Sequence, residues 1–162
     1  MTDTTTTGQA EAANFIAAHT ELAEFVRNCS DAAWAAMVPI EERTVAVMAD
    51  HMAVGYDLLV GWIETAQAGL SIPGTREQQD MDNALHAVQR AAVSREDVLA
   101  RLEKSAPRVA AVLAMVPQEI ADSEVHFGPA GVPMQVGRLM SMSALHVTRH
   151  LGHVREALAA QA

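Results

Sequence analysis

The chain has 162 residues, half of them hydrophobic but only 4% aromatic, and 11 Lys and Arg against 20 Asp and Glu give a formal net charge of −9. That length suits one domain with a real core, and an apolar set dominated by Ala, Val, Leu and Met favours helix packing over sheet. The acidic balance, with its basic residues scattered, argues against a phosphate backbone as partner, so no nucleic-acid binding is expected.

Residues 1–8 read as a tail without regular structure, and residues 9–162 as a single domain. The opening MTDTTTT lacks the basic start and apolar run of a secretory signal. No apolar stretch approaches the ~20 residues that cross a bilayer. The single cysteine, Cys29, cannot form an internal disulfide. A cytoplasmic protein with no membrane partner is the expectation.

Residues 8–28 carry Phe15, Ala18, Leu22, Phe25 and Val26 at helical spacing. Ser30 and Asp31 break that pattern and can cap a short helix, which ends before Pro39. A second long helix is expected over residues 41–68, with Glu41 and Glu42 matched to its positive N-terminal end and Gly69 to its stop. A third helical region covers residues 80–115, with a fresh start at Ser94 and a kink or restart at Pro107. Residues 117–133, PQEIADSEVHFGPAGVP, hold three prolines and two glycines and read as a long loop. A last helix runs from about residue 134 to 160. No internal repeat and no cleanly alternating strand is evident. The sum is an all-α, four-helix bundle with one or two short additional helices.

Three of the seven histidines fall within SALHVTRHLGHVREAL of the last helix. On a wheel turning ~100° per residue, His150 lies about 40° and His153 about −20° from His146. All three border the apolar stripe formed by Val136, Met140, Val147, Leu151, Val154 and Leu158. His146 and His150, one turn apart, can share an ion, whereas His146 and His153 are ~10.5 Å apart along the axis. A third ligand must come from another helix, and His51 in VMADHMAVGYDLLVGW is the best placed. Gly55, one turn on, leaves room for a ligand, and Met48 and Met142 are candidates to line a pocket. His19, His86 and His126 read as surface or loop residues. Val147 stands where a zinc protease would carry its glutamate, and there is no GxSxG, P-loop or dinucleotide fingerprint. Asp50, Asp57 and Glu64 lie in other sectors than His51 and receive no role. No catalytic residue is assigned.

With these features the chain resembles the DinB family, the DinB/YfiT-like metalloenzymes. The resemblance rests on His51 in ERTVAVMADHMAVGYDLLVGW and on the pair in LHVTRHLGHVREAL. DNALHAVQRAAVSREDVLARLEK, with Asn83 and the Ser94 start, adds to it. It covers about residues 23–159. It implies that His51, His146 and His150 are the ligands of a divalent metal ion such as Zn, Ni or Fe, that the chain forms a homodimer, and that a low-molecular-weight thiol such as mycothiol or bacillithiol serves as cosubstrate in S-transfer or isomerisation of a small molecule. His153 stands where many relatives carry Gln, so the resemblance gives it no role, and it is a partner of the ligands, a proton relay or simply a polar residue on the helix border. Two rivals stand beside this reading. One is a non-catalytic bundle that binds a metal or small ligand, and the other is a structural domain whose histidines only make hydrogen bonds.

Overall fold

The computed structural model describes residues 6–161. Four long helices form the bundle: α1 (Thr7–Asn28), α3 (Val45–Gln67), α5 (Arg95–Ala114) and α7 (Val136–Ala159). Three shorter ones accompany them: α2 (Asp31–Ala35), α4 (Arg76–Gln89) and α6 (Gln118–Ala121). α1 and α3 each pack on both α5 and α7, so α1 stands opposite α3 across the core. The core is built from the expected aliphatic stripes, with Phe15, Leu22, Met52, Ile63, Leu102, Leu113, Leu139 and Met140 fully buried.

Side-chain caps set most of the helix starts. Thr6 and Gln9 form a reciprocal capping box, which begins α1 at Thr7, inside the stretch read as a tail. Residues 1–5 of that stretch lie outside the described residues. Ser94 accepts from the Asp97 amide and opens α5, so the region 80–115 is divided into α4 and α5 as its capping pattern suggests. Pro107 does not end α5. It lies on an exposed face of the helix, away from the core.

Two corrections concern the segments before α3 and α7. Glu41 and Glu42 do not open α3, because Pro39 starts a 3₁₀ turn over Pro39–Glu41 and Glu42 follows in the left-handed region at φ 53°. That turn joins β1 (Met37–Val38) to β2 (Arg43–Thr44), and Thr44 is the true N-cap of α3. Residues 117–133 are likewise not a loop: α6 is followed by a hairpin of β3 (Glu124–Phe127) and β4 (Val132–Gln135), joined by a 3₁₀ turn over Gly128–Ala130. In β3, Val125 and Phe127 face inward while Glu124 and His126 face out, the alternation of a half-buried strand. The fold therefore repeats a unit that the residues do not advertise. In each half a long helix, a short helix, a hairpin turning through a proline-containing 3₁₀ turn and a left-handed residue, and a second long helix follow in order.

Candidate metal centre

α3 and α7 pack side by side, and this brings together residues some ninety positions apart. The ring centroids of His51 and His146 are 5.0 Å apart, those of His51 and His150 5.2 Å, and those of His146 and His150 4.5 Å. One nitrogen from each of the three lies within 4.8 Å of the others. Gly55 gives the His146 ring room: a Cβ there would stand 3.3 Å from His146 Nε2, a contact that the imidazole would have to yield to by a few tenths of an ångström.

His146 Nε2 is buried and has no hydrogen-bond partner. Such an orphan costs ~1–3 kcal/mol unless something binds it. The donor set is also in the right protonation state. Burial first, then the charge of His150, pushes His51 down to about 4. Burial, then His51 and His150, pushes His146 down to about 3. Burial lowers His150 as well, against the opposing pull of Glu41. Neutral imidazoles present lone pairs to a cation, so the three residues fit a metal ion, and this group could hold one.

Glu41 is the residue that the periodicity concealed. Its Oε1 accepts from His150 Nδ1 at 2.7 Å and from His153 Nδ1 at 2.6 Å. Burial alone would raise its carboxyl, but the hydrogen bonds from His153 and His150 outweigh that and hold it below the usual range. An ionised carboxylate only accepts, so both Nδ1 atoms donate, and Nε2 of His150 carries the free lone pair. This is the arrangement in which a carboxylate fixes the tautomer and orientation of a metal-binding imidazole. It also gives His153 a place: with Glu41 and His150 it forms a second group whose ligand atoms lie within 4.8 Å.

The other candidates divide. Gly55 and Met142 line a cavity of about 120 Å³ that opens beside His51 and His146. Its walls are Val54, Leu58, Leu59 and Trp62, with Gln79 and Asn83 contributed by α4. Met48 does not line it, because it is fully buried with Val38, Val45 and Val154 in a separate part of the core. His126 is exposed on β3 and does not fold over the centre. His19 is half-buried, with Nδ1 3.2 Å from the Tyr56 hydroxyl. His86 is no surface residue: its Nε2 donates to Asp50 at 2.7 Å. Asp50 is fully buried and also takes Arg90 Nε at 2.9 Å and Arg90 Nη2 at 3.3 Å, with Arg101 Nε 3.7 Å away. Burial would raise its carboxyl, but these partners hold it below the ordinary range. A lone carboxylate in the apolar run VAVMADHMA was the signal for such a cluster, since buried charges are almost always paired. Asp57 and Glu64 are bound elsewhere, by Ser105 and Arg108.

An all-α bundle with three histidines clustered between α3 and α7 is the class of helical domain in which facing helices could hold a metal ion. Within that class, the sequence profile of the DinB superfamily matches residues 14–154. The chain belongs to the DinB superfamily. No curated protein and no solved structure matches it. No helix among the described residues is long and apolar enough to cross a membrane.

The depressed histidines predict acid sensitivity in the metal-free protein. An unfolded histidine titrates near 6.5, so between pH ~6.5 and ~4 the unfolded chain binds protons that folded His51 and His146 refuse. Their contribution is complete above pH ~6.5 and is lost as pH falls. We expect roughly 3 kcal/mol less stability at pH 5 than at pH 7, a fall in Tm of roughly 10 °C for a domain of this size. Thermal unfolding of chelator-treated protein measures it, and His146→Ala should flatten the slope. A Tm constant from pH 7 to 5 would show that these rings are not held neutral by the fold.

Proposed function

We propose that His51, His146 and His150 bind one divalent ion, zinc, nickel or iron, and that the loaded protein is a transferase or isomerase acting on a small molecule with a low-molecular-weight thiol such as mycothiol or bacillithiol. The observation that carries the metal reading is His146 Nε2, a buried ring nitrogen without a hydrogen-bond partner, grouped with two other imidazoles. Bound by three uncharged ligands, a divalent ion keeps its full charge and favours the thiolate or hydroxide form of what it holds. The protein's own residues supply the rest. Glu41 Oε1 holds His150 Nδ1–H and so aims Nε2, and His153, with 20% of its side chain exposed, links the same carboxylate oxygen to solvent as a proton relay. The apolar cavity beside His51 and His146 keeps water from a substrate seated there. In the homodimer implied by the family resemblance, the exposed Met81, Leu85 and Val88, spaced i, i+4, i+7 on α4, offer an apolar face to cover.

Replacing Glu41 with Gln should weaken metal affinity by about 10–100-fold, since the amide accepts less strongly and carries no charge. Competition with a chromogenic chelator measures it, and unchanged affinity would remove Glu41 from the site's support.

One observation favours a non-catalytic binder: the cavity lining contains no carboxylate, amine or thiol to act as base or nucleophile beside the rings. Consumption of mycothiol or bacillithiol by the metal-loaded protein, with a panel of electrophiles, separates the two. Turnover that disappears on chelation supports the enzyme. No turnover with any pair, in protein with full metal content, leaves the binder as the better account.

A further inference from the structure

The cavity beside the triad has a composition that selects its occupant. We infer that it is a subsite for a compact, uncharged, mainly apolar group of about the size of a benzene ring, carrying one hydroxyl or carbonyl that Ser143 engages. The assignment rests on the metal reading only for which end of the ligand faces His51 and His146.

Three observations lead there. The volume is about 120 Å³, a little under the ~150 Å³ of an apolar protein cavity that holds benzene. That admits a ring or a short branched chain and excludes the sugar portion of a glycosidic thiol, which would have to remain outside. The lining is apolar on most sides, through Leu59, Trp62 and Met142, and contains no lysine or arginine. A carboxylate or phosphate in its interior would be desolvated without a counter-charge, which costs several kcal/mol. A substrate with two carboxylates could therefore bring only one to a metal and would strand the other.

The third observation is Ser143. The residue is 6% exposed, lines the cavity, and its Oγ is buried without a hydrogen-bond partner. It sits three residues before His146 on α7, one turn away and therefore on the same side of the helix. The other hydroxyl in the lining, that of Tyr56, is already engaged by His19. A serine that forgoes a helix-internal or solvent bond in this position leaves an unsatisfied donor and acceptor, which a ligand oxygen would complete. The carboxamides of Gln79 and Asn83 on α4 add polar groups to the same lining.

The test uses four probes that do not require the ion: phenol, toluene, benzenesulfonate and 2-naphthol. Each is titrated into the protein as purified, with the Trp62 indole N–H followed by nuclear magnetic resonance and metal content measured on the same sample. Phenol should shift Trp62 saturably and bind about fivefold more tightly than toluene, the worth of one net hydrogen bond. Benzenesulfonate and 2-naphthol, excluded by charge and by size, should bind at least about tenfold more weakly than phenol. Ser143→Ala should erase the preference for phenol over toluene while leaving toluene binding unchanged, a pattern that a merely structural serine would not give. Leu58→Trp, at a half-exposed wall position, should block all four probes with the fold intact. An unmoved Trp62, equal binding of the sulfonate, or a phenol preference that survives Ser143→Ala would overturn the assignment. A sample that binds phenol but takes up no zinc, nickel or iron at neutral pH would instead refute the metal reading alone.

Discussion

His146→Ala should abolish stoichiometric metal binding while leaving a folded bundle. One nitrogen has two roles. In the metal-free protein His146 Nε2 is buried and unpartnered, so removing the ring relieves a penalty of ~1–3 kcal/mol while giving up packing of about the same size. The metal-free variant should therefore unfold within about 2 kcal/mol of metal-free wild type. With metal the two must diverge. An ion present at a thousandfold excess over its Kd stabilises the folded state by about 4 kcal/mol, roughly 10 °C in Tm for a domain of this size. Wild type should lose that increment on chelation, and His146→Ala, His51→Ala and His150→Ala should have none to lose. Paired unfolding curves with and without chelator measure it. Variants that keep both the ion and the increment would place the site elsewhere.

The largest loss of stability at a single charged position should come from Asp50→Leu. Asp50 on α3 is fully buried, and the groups that compensate it come from other elements: His86 on α4, Arg90 just past its end, and Arg101 on α5. Breaking a buried ion pair by deleting one partner costs about 3–5 kcal/mol. The lower end applies here, because Arg90 and Arg101 keep about a third of their side chains exposed and can turn to water. About 3 kcal/mol corresponds to a fall in Tm of about 6–12 °C. The consequence should be local as well as global. α4 has no buried residue of its own, so this cluster is a principal attachment of that helix to the bundle. Since α4 carries Gln79 and Asn83, loosening it also opens the cavity. Hydrogen exchange should show protection lost along α4 before the rest of the fold. Protection lost evenly over all helices would contradict this role.

The four long helices could be read from the chain because each carries a sustained apolar stripe, and at α5 the capping residue Ser94 before Glu96 and Asp97 marked the start as well. His146 and His150 were equally legible, since one helical turn fixes their relation wherever the helix lies, and His51 shared its helix with an apolar stripe that had to face the core. Glu41 was not legible in the same way. Two acidic residues before a long helix look like partners for its dipole, whereas Thr44 is the cap and Glu41 belongs to a 3₁₀ turn that folds back on α7. Its partner His150 is 109 positions away, a relation that no local period encodes. Proline followed by a threonine cap was the available signal. The β3–β4 hairpin was hidden by its prolines and glycines, which build the turn but also mimic a loop. Met48 misled because a methionine one turn from His51 can face either the site or the neighbouring core, and it clusters with Val154 in the core.

On the proposed reading, one ion is held by imidazoles from α3 and α7. Its most direct test is elemental analysis of protein purified without a histidine tag, combined with X-ray absorption at the edge of the metal found. The account predicts about one divalent ion per chain with three imidazole nitrogens in its coordination shell, falling to none in His51→Ala. A chain that takes up no ion from zinc, nickel or iron solutions at neutral pH, or one whose ion survives loss of His51, would contradict it.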